Sequence, residues 1–233
     1  MAYFNLALKR LFDIFSSLIG LIVLVPLLLF ISIIVKTDSK GPVFYKQKRL
    51  TKDGRVFTMY KFRTMYVGSE YEDVGLFNYK DDPRVTKVGK FLRSSSLDEL
   101  PQLINIIKGE MSVIGPRPSV LGELGDYETL NQVFKKRFLM KAGLTGLAQI
   151  KGRNNIHWSE KVILDNQYID LFKKYGILID LKLLFLSLSK VFKKEDIFEV
   201  KSDDSLTDAE AAKLAEEEII RIAQSSDSSV AGI

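Results

Sequence analysis

The sequence predicts a helix-rich α+β protein, in which a single domain follows an N-terminal re-entrant membrane helix and carries a β-hairpin and interfacial amphipathic helices. Three observations predict this class. An uncharged apolar run lies near the start of the chain, two β-rich runs around an Asp-Gly turn follow it, and apolar residues at helical spacing dominate the remainder. With 233 residues, the chain is long enough to bury the core of one medium-sized domain with appendages.

The first element is an apolar run that carries no charge from Leu18 to Val35. This length is close to the minimum for crossing a bilayer. Pro26 lies in the middle of the run, where it removes a helix hydrogen bond, and both flanks are basic. Because basic flanks stay on the cytoplasmic side, a helix that enters the membrane, bends at Pro26 and returns satisfies both observations. A tilted crossing helix stays open as the alternative, since prolines occur in spanning helices.

The second element is a β-hairpin, whose two β-rich runs flank a short loop ending in Asp53 and Gly54, a strong turn signal. If the second run is a strand, Lys61 and Arg63 lie on the same face, because side chains alternate along a strand. Two neighbouring cations of this kind form either an anion-binding pair or a solvated strand face, and the pattern alone fits both.

Helices account for most of the remaining chain, at residues 85–93, 97–107, 121–140, 158–175 and 177–194. The first of these is basic and amphipathic, which suits a membrane surface and an ordinary domain surface alike. The last is strongly apolar and ends in three lysines, a pattern that also fits a membrane interface. We divide the chain into an anchoring region at 1–40, a domain at 41–200 and an acidic tail at 201–233. The spacing of apolar residues in the tail predicts an amphipathic helix followed by a disordered end.

The composition restricts the chemistry and the partners. There is no cysteine and one histidine, which excludes disulfides, zinc–thiolate sites, cysteine nucleophiles and multi-histidine metal sites. From Asp203 onward the tail has eight acidic and two basic residues, although the whole chain has a net charge of +5. The body is therefore strongly basic, which indicates anionic partners: nucleic acid, phosphorylated substrates or an anionic membrane surface.

Two adjacent carboxylates, Asp98 and Glu99, stand at the start of the apolar helix at 97–107 and admit two interpretations. In the first they cap the helix. Ser96 with Glu99 matches a capping box, but Pro101 favours Asp98 as the N-cap, because a proline is tolerated in the first helical turn. In the second they form a catalytic pair, in which one carboxylate attacks phosphorus and the other holds a metal ion.

Neighbouring cations make the second interpretation chemically feasible. A helix N-terminus favours phosphate, Arg93 precedes the pair, and Arg117 follows on a loop held between two prolines. Lys61 and Arg63 would add two further positive charges. Arginines and a divalent cation can offset the repulsion between a carboxylate nucleophile and a phosphate. The residues alone leave capping and catalysis both open.

Five segments occur in the order found in the bacterial sugar transferase family. They are KRLFDI from Lys9, YKFRTM from Tyr60, DPRVTKVGKFLR from Asp82, SLDELPQLINIIKGEMSVIGPRP from Ser96 and GLTGLAQIKGRN from Gly143. Over roughly residues 9–192 the chain resembles the small monotopic phosphoglycosyl transferases of this family. The LDELPQ and GPRP segments are highly specific in combination, whereas either of them alone is a weak signal.

The resemblance implies transfer of a sugar 1-phosphate from a UDP-sugar to polyprenyl (undecaprenyl) phosphate, with release of UMP, as the first membrane step of a bacterial glycoconjugate pathway. It implies Mg²⁺ as cofactor and an Asp–Glu dyad at Asp98 and Glu99, both near the metal, with a covalent phosphosugar on the aspartate. It also implies contacts to phosphates or the nucleotide from a further set of residues: Lys61, Arg63, Arg93, Arg117 and Asp165. Tyr168 belongs to the same recurring helix motif as Asp165.

The implied location is the bacterial inner (cytoplasmic) membrane, with the catalytic domain on the cytoplasmic face. The implied partners are a UDP-sugar, polyprenyl phosphate and the lipid bilayer, with no nucleic acid. Binding to a second copy of the chain or to downstream glycosyltransferases stays open. The alternative function is a non-catalytic membrane scaffold for polyprenyl-linked intermediates, against which the intact dyad and basic set argue. A metal-dependent glycosyltransferase is disfavoured because the sequence has no Asp-x-Asp motif.

Three features depart from the family pattern. Val25 precedes Pro26 where small members often have a serine, which leaves the proline but removes a hydroxyl that would bond to the backbone. Ala142 stands where a proline commonly precedes the GLTG segment. The acidic tail lies outside the family core. None of these departures touches the dyad.

Overall fold

The computed structural model describes residues 2–69, 82–152 and 158–193. The helices in this part of the chain are α1 (Ala2–Asp38), α2 (Lys87–Ser94), α3 (Gln102–Lys108), α4 (Gln132–Lys136), α5 (Leu147–Lys151), α6 (Trp158–Tyr175) and α7 (Ile177–Lys193). The strands are β1 (Phe44–Leu50), β2 (Val56–Phe62), β3 (Ser112–Ile114) and β4 (Gly143–Thr145). These elements confirm the helix-rich α+β class. The predicted tail at 201–233 lies outside the described residues.

Helix α1 continues through Pro26 and packs one of its faces against the domain. The buried residues of that face recur every three or four positions or at multiples of them, and include Lys9, Asp13, Ser17, Ile31 and Val35. The opposite face leaves large apolar side chains exposed, among them Ile19, Ile22, Val23, Leu29, Phe30 and Ile33. In the described part of the chain, α1 is the one helix long and apolar enough to cross a membrane.

The predicted hairpin is confirmed. Strands β1 and β2 pair antiparallel from Phe44 opposite Phe62 to Leu50 opposite Val56. The chain reverses at Asp53 and Gly54, which adopt φ angles of 57° and 69°. An Asp-Gly sequence suits this turn because aspartate and glycine tolerate the left-handed region better than other residues.

The main core lies between the hairpin, α3, β3 and the pair α6–α7. Its most buried members, with at most 1% exposure, include Ile106, Met111, Ile114, Tyr168 and Ile169. Strand β3 pairs in parallel with β4. The two segments approach so closely that a Cβ at Gly143 would lie 2.2 Å from the backbone nitrogen of Gly115. A glycine is therefore required at this crossing, which lies just before the loop that carries Arg117.

The two C-terminal helices occupy the predicted ranges. Helix α6 follows its prediction at 158–175, and α7 ends one residue before its predicted end at 194. Helix α7 also presents the apolar surface that an interfacial helix requires, through the exposed residues Leu178, Leu181, Phe185, Leu186 and Leu188. Helix α2 confirms the prediction at 85–93 and begins after Thr86, whose side chain accepts a hydrogen bond from the Gly89 amide.

Two predicted helices are wrong in their extent. Residues 97–107 divide into a 3-10 turn at Leu97–Glu99 and α3, which begins only at Gln102. Residues 121–140 contain two 3-10 turns and the short helix α4. The cause in the second case is local, because Gly122 and Gly125 adopt φ angles of 78° and 84° that interrupt a helix.

Candidate active site

The adjacent carboxylates lie in the 3-10 turn Leu97–Glu99, between α2 and α3. The prediction that Asp98 is the N-cap of α3 is wrong, since Pro101 occupies that position. The capping box is not formed either, because Ser96 has a φ of 57° and its side chain makes no capping hydrogen bond. Helix capping therefore does not account for two carboxylates at this point of the chain.

Asp98 is almost buried, with 9% of its surface exposed. Burial raises the pKa of its carboxyl from 3.8 to about 6, the Lys61 ammonium lowers it, and the Glu99 carboxylate raises it further. Arg93 is also close enough to lower this pKa. The structure thus brings both predicted carboxylates and two of the predicted cations into one electrostatic cluster.

Lys61 makes the closest contact within this cluster. Its Nζ lies 2.6 Å from Oε1 of Glu99, and the two side chains are 21% and 30% exposed. Lys61 stands near the end of β2, which carries it from the hairpin towards the 3-10 turn. A partly exposed ammonium beside a carboxylate can exchange that partner for an incoming anion at modest cost.

Lys61 and Glu99 line a cleft that holds a surplus of positive charge. Arg49 and Arg117 provide two further cations, and the other lining residues are Met59, Gln102, Pro118, Gly143, Leu144 and Gln149. The cleft lining thus contains three cationic side chains. Among the described residues of this lining, Glu99 is the acidic one. A cleft of this composition suits an anionic ligand such as a diphosphate.

Arg49 is a residue of this cleft that the sequence analysis missed. Burial lowers the pKa of its guanidinium to about 10; Glu123 opposes this change, and repulsion from Arg117 adds to it. Its Nη1 donates to the Pro118 carbonyl at 3.0 Å. The hairpin register contains the signal that would have found it, because residues 45, 47 and 49 pair with 61, 59 and 57 and share one face with Lys61.

Arg63 is not brought together with Lys61, so the predicted cationic pair does not form. Arg63 is 5% exposed and donates hydrogen bonds to the carbonyls of Val35, Ser39 and Lys40 at 3.1, 2.7 and 2.6 Å. The physical reason is that the last carbonyls of a helix lack intrahelical partners, and an arginine can satisfy several of them together. Arg63 thus fastens the end of α1.

Arg93 and Asp165 take different positions relative to the cleft. Arg93 lies on α2, donates from Nε to Thr64 Oγ1 at 2.9 Å and faces the Asp98 side of the cluster. Asp165 is 1% exposed and pairs with Arg137 at 2.8 Å. The predicted phosphate contact of Asp165 is not what the structure shows, because a carboxylate repels phosphate and this one is enclosed behind the Arg117 loop.

The donor chemistry around Asp98 and Glu99 fits Mg²⁺. Magnesium takes oxygen ligands and commonly uses one or two carboxylates together with substrate phosphates and water. Within residues 2–69, 82–152 and 158–193 no group of three or more His, Cys, Asp or Glu residues is placed to hold a metal. The dyad is therefore compatible with an ion shared with a phosphate ligand rather than with a metal cage made by the protein alone.

A family model described as Bacterial sugar transferase matches residues 4–194. UDP-glucose:undecaprenyl-phosphate glucose-1-phosphate transferase of Klebsiella pneumoniae is 46% identical over 190 residues, which cover 81% of this chain and 41% of that protein. Galactosyl transferase CpsE of Streptococcus agalactiae serotype III is 42% identical over 200 residues, with coverages of 81% and 43%. Exopolysaccharide production protein PSS of Rhizobium leguminosarum bv. phaseoli is 40% identical over 191 residues, with coverages of 78% and 93%.

This chain spans less than half the length of the first two relatives and nearly all of the third. The residues matched by the family model contain α1, the hairpin, the dyad and the cationic cleft. The extent of the family match, together with the identity to PSS over almost its whole length, shows that this chain belongs to the bacterial sugar transferase family.

Proposed function

We propose that this protein transfers a sugar 1-phosphate from a UDP-sugar to a polyprenyl phosphate, releases UMP and forms a covalent intermediate on Asp98. The observation that carries this proposal is the buried Asp98 carboxylate, with its raised pKa, beside a cleft lined by Arg49, Lys61 and Arg117. The names of the Klebsiella and Streptococcus relatives refer to glucose and galactose respectively. They support sugar phosphate transfer as the reaction class and leave the sugar to experiment.

In the first half of the proposed reaction, a carboxylate oxygen of Asp98 attacks the phosphorus attached to the sugar. The bond between this phosphorus and the bridging oxygen of the diphosphate breaks, and UMP departs with the electron pair. Asp98 suits this role because a carboxylate with a pKa of about 6 is ionised at neutral pH and is more basic than an exposed aspartate. Lys61 and Arg117 would offset the charge of the departing phosphate.

In the second half, an oxygen of polyprenyl phosphate attacks the same phosphorus, and the acyl–phosphate bond to Asp98 breaks. The product is a polyprenyl diphosphate sugar, and the carboxylate is regenerated. Neither half needs a proton from the protein, because the nucleophiles and leaving groups are all anions. Mg²⁺ held by Asp98 and Glu99 would supply positive charge between the carboxylates and the phosphates.

A panel of UDP-sugars tests this function. The purified protein is incubated with polyprenyl phosphate, Mg²⁺ and each UDP-sugar in turn, and UMP is measured. We expect one or a few sugars to give rapid release that needs the polyprenyl acceptor for more than one turnover. Absence of UMP with every sugar tested, in a folded and membrane-bound protein, would favour the alternative of a non-catalytic scaffold.

We propose further that α1 is re-entrant and that the domain lies on the cytoplasmic face of the bacterial inner membrane. Both ends of α1 are fastened to the same domain: Lys9 Nζ donates to the Ile114 carbonyl at 2.7 Å, and Arg63 binds the Ser39 carbonyl at 2.7 Å. A crossing helix would place these ends on opposite sides of the bilayer.

The native chain lacks cysteine, so single cysteines introduced at Ala2 and Ser39 give an unambiguous test of this topology. Both should resist a membrane-impermeant thiol reagent in intact cells and react after the cells are opened. Reaction of one position alone in intact cells would indicate a crossing helix.

A further inference from the structure

A buried ion pair behind the cleft joins two segments that are far apart in the sequence. Arg137, in the 3-10 turn after α4, and Asp165, in the middle of α6, lie 2.8 Å apart and are each 1% exposed. The Arg137 guanidinium also stacks over the Trp158 ring, 4.9 Å from its centre. Such pairs are often no more stabilising than apolar residues of similar volume, so stability alone does not account for this one.

Both members of the pair lie against the backbone of Arg117. Arg137 Nη2 donates a hydrogen bond to the Arg117 carbonyl. On the other side, the Arg117 backbone N–H lies close enough to the Asp165 carboxyl to lower its pKa, against the rise caused by burial. The two charges of this ion pair therefore lie on either side of the Arg117 backbone, and Arg137 makes the hydrogen bond to it.

The segment around Arg117 has few alternative ways to be held. Pro116 and Pro118 flank it, and proline has a fixed φ and no N–H to donate. The Pro116 carbonyl accepts a hydrogen bond from the Gly143 amide at 2.8 Å, and the Pro118 carbonyl accepts one from Arg49. The Pro116 carbonyl and the Arg117 N–H belong to one peptide group, which Gly143 therefore fixes. The peptide group that follows Arg117 is oriented by Arg137, and Asp165 holds Arg137 in place.

We propose that Arg137 and Asp165 are positioning residues, which act through the Arg117 backbone to hold its guanidinium in the cationic cleft. The inference rests on the proposed function for the identity of the ligand, a nucleoside diphosphate sugar. Its physical basis is preorganisation: a cation held in place before binding loses little entropy and needs little reorganisation when phosphate charge arrives. Asp165 contributes to phosphate recognition in this way without touching phosphate.

The test replaces the pair by apolar residues of similar volume, in the double variant Arg137→Met/Asp165→Leu. This change removes the contacts of both side chains with the Arg117 backbone. It leaves no buried charge unpaired, so the fold should persist. Lys136→Gln/Asp170→Asn is the matched control, because it removes a neighbouring ion pair of 2.7 Å that joins the end of α4 to α6 at the surface.

Hydrogen exchange gives a readout that is independent of substrate. Between Pro116 and Pro118, the Arg117 amide is the exchangeable backbone group, because the prolines lack an N–H. We expect this amide to exchange faster in the apolar variant than in the wild type or the control, while exchange in α3 stays unchanged. Unchanged exchange at Arg117 in the folded apolar variant would overturn the proposal, whatever reaction the enzyme catalyses.

Kinetic coupling gives the second readout. In the UMP-release assay, the apolar variant should lose about tenfold or more in kcat/KM, whereas the control should match the wild type. Added to Arg117→Ala, the apolar pair should cause little further loss, since residues that act through one another are not additive. A loss of equal size in both backgrounds would show that the pair does not act through Arg117.

Lack of UMP release by the wild type itself would count against the proposed function alone, because the exchange measurement still decides the positioning role.

Discussion

At the scale of single residues, the candidate site contains a carboxylate, Asp98, whose ionised form is disfavoured by burial. Asp98 is 9% exposed, and burial is the largest cause of its raised pKa. Between pH 4 and 6, in round numbers, the folded state therefore binds protons that the unfolded state has released, and stability falls as the pH rises through this window. A carboxylate that costs stability at neutral pH is typical of a residue kept for its chemistry.

Replacing Asp98 by asparagine should therefore separate stability from activity. A rise in pKa from 3.8 to about 6 corresponds to roughly 3 kcal/mol of cost for the ionised group. We expect Asp98→Asn to abolish UMP release and to raise Tm at pH 7.5, with a gain in stability of up to that size. The gain should disappear near pH 4, where Asp98 is protonated in the folded state as well.

Calorimetry at the two pH values and an activity assay with the same preparation check this expectation. Glu99→Gln provides the comparison, because Glu99 is paired with Lys61 and nearly one third exposed. Substantial turnover by Asp98→Asn, in a sample shown by mass spectrometry to be free of deamidation back to aspartate, would contradict the nucleophile assignment. A phosphosugar trapped on Glu99 would reverse the two roles.

The pH dependence of the rate follows from the same group. Only the ionised carboxylate is a nucleophile, so kcat/KM of the wild type should decline as the pH falls through about 6, by about tenfold for each further pH unit. UMP release is measured between about pH 5 and 8, with protein stability monitored in parallel. A rate that stays constant down to about pH 5 would show that Asp98 titrates well below the value its burial gives it.

Sequence reasoning identified most residues of the site but not what each of them does. The family resemblance pointed to Asp98, Glu99, Lys61 and Arg117, and the structure brings these four residues together around the cleft, while their roles stay a prediction. The contact between Lys61 and Glu99 spans 38 positions, and no local pattern encodes it. The enclosed position of Asp165 likewise depends on packing, because a carboxylate on a helix has the same sequence signature whether it faces a cleft or an arginine.

At the scale of secondary-structure elements, local signals decided which predictions succeeded. Helices α6 and α7 combine apolar periodicity with a glycine between them, Gly176, whose φ of 58° ends the first. The hairpin has its Asp-Gly turn. The predicted helix at 121–140 failed because its apolar residues follow a helical period only in part, while Gly122 and Gly125 favour turns and Asn131 caps a new, short helix.

Two variants near the end of β2 distinguish a residue needed for activity from one needed for stability. Lys61→Met should lower UMP release by about a hundredfold, because a cation near the reacting phosphate is lost. It should change the free energy of unfolding by about 1 kcal/mol or less, since partly exposed ion pairs contribute little. Arg63→Met should instead lower stability by about 1–3 kcal/mol, because buried carbonyls at the end of α1 lose their donor.

Thermal unfolding and UMP release are measured for both variants in the same detergent or lipid. We expect Lys61→Met to have the lower rate of UMP release and a nearly unchanged Tm. Arg63→Met should have the lower Tm of the two. Equal losses of stability would mean that Lys61 also has a structural role, and a stable but inactive Arg63→Met would restore the predicted phosphate contact of Arg63.

At the scale of the whole molecule, polar groups of the apolar helix α1 fasten it to the domain. Lys9 pairs with Asp180 at 2.6 Å, and Tyr168 donates to the same carboxylate at 2.9 Å. Asp13 accepts hydrogen bonds from the Ser112 hydroxyl and the Val113 amide, both at 2.9 Å. Burying such groups is costly unless they are paired, so their pairing with the domain specifies how α1 sits against the domain.

The acidic tail at 201–233 follows the part of the chain that the structure describes. The family match ends at residue 194, and the cleft, the dyad and the contacts of α1 all lie before that point. Because the tail and the body have opposite charge, we expect the tail to bind the basic surface or a partner and not to take part in the chemistry.

Removal of residues 202–233 should leave UMP release within about threefold of the wild type at saturating substrate, because a surface charge interaction is weakened by salt screening. The full chain with the tail acids changed to their amides is the control, since it keeps the length and removes the charge. If both variants stay folded, remain in the membrane fraction and still lose all turnover, the tail is part of the catalytic machinery and this expectation is wrong.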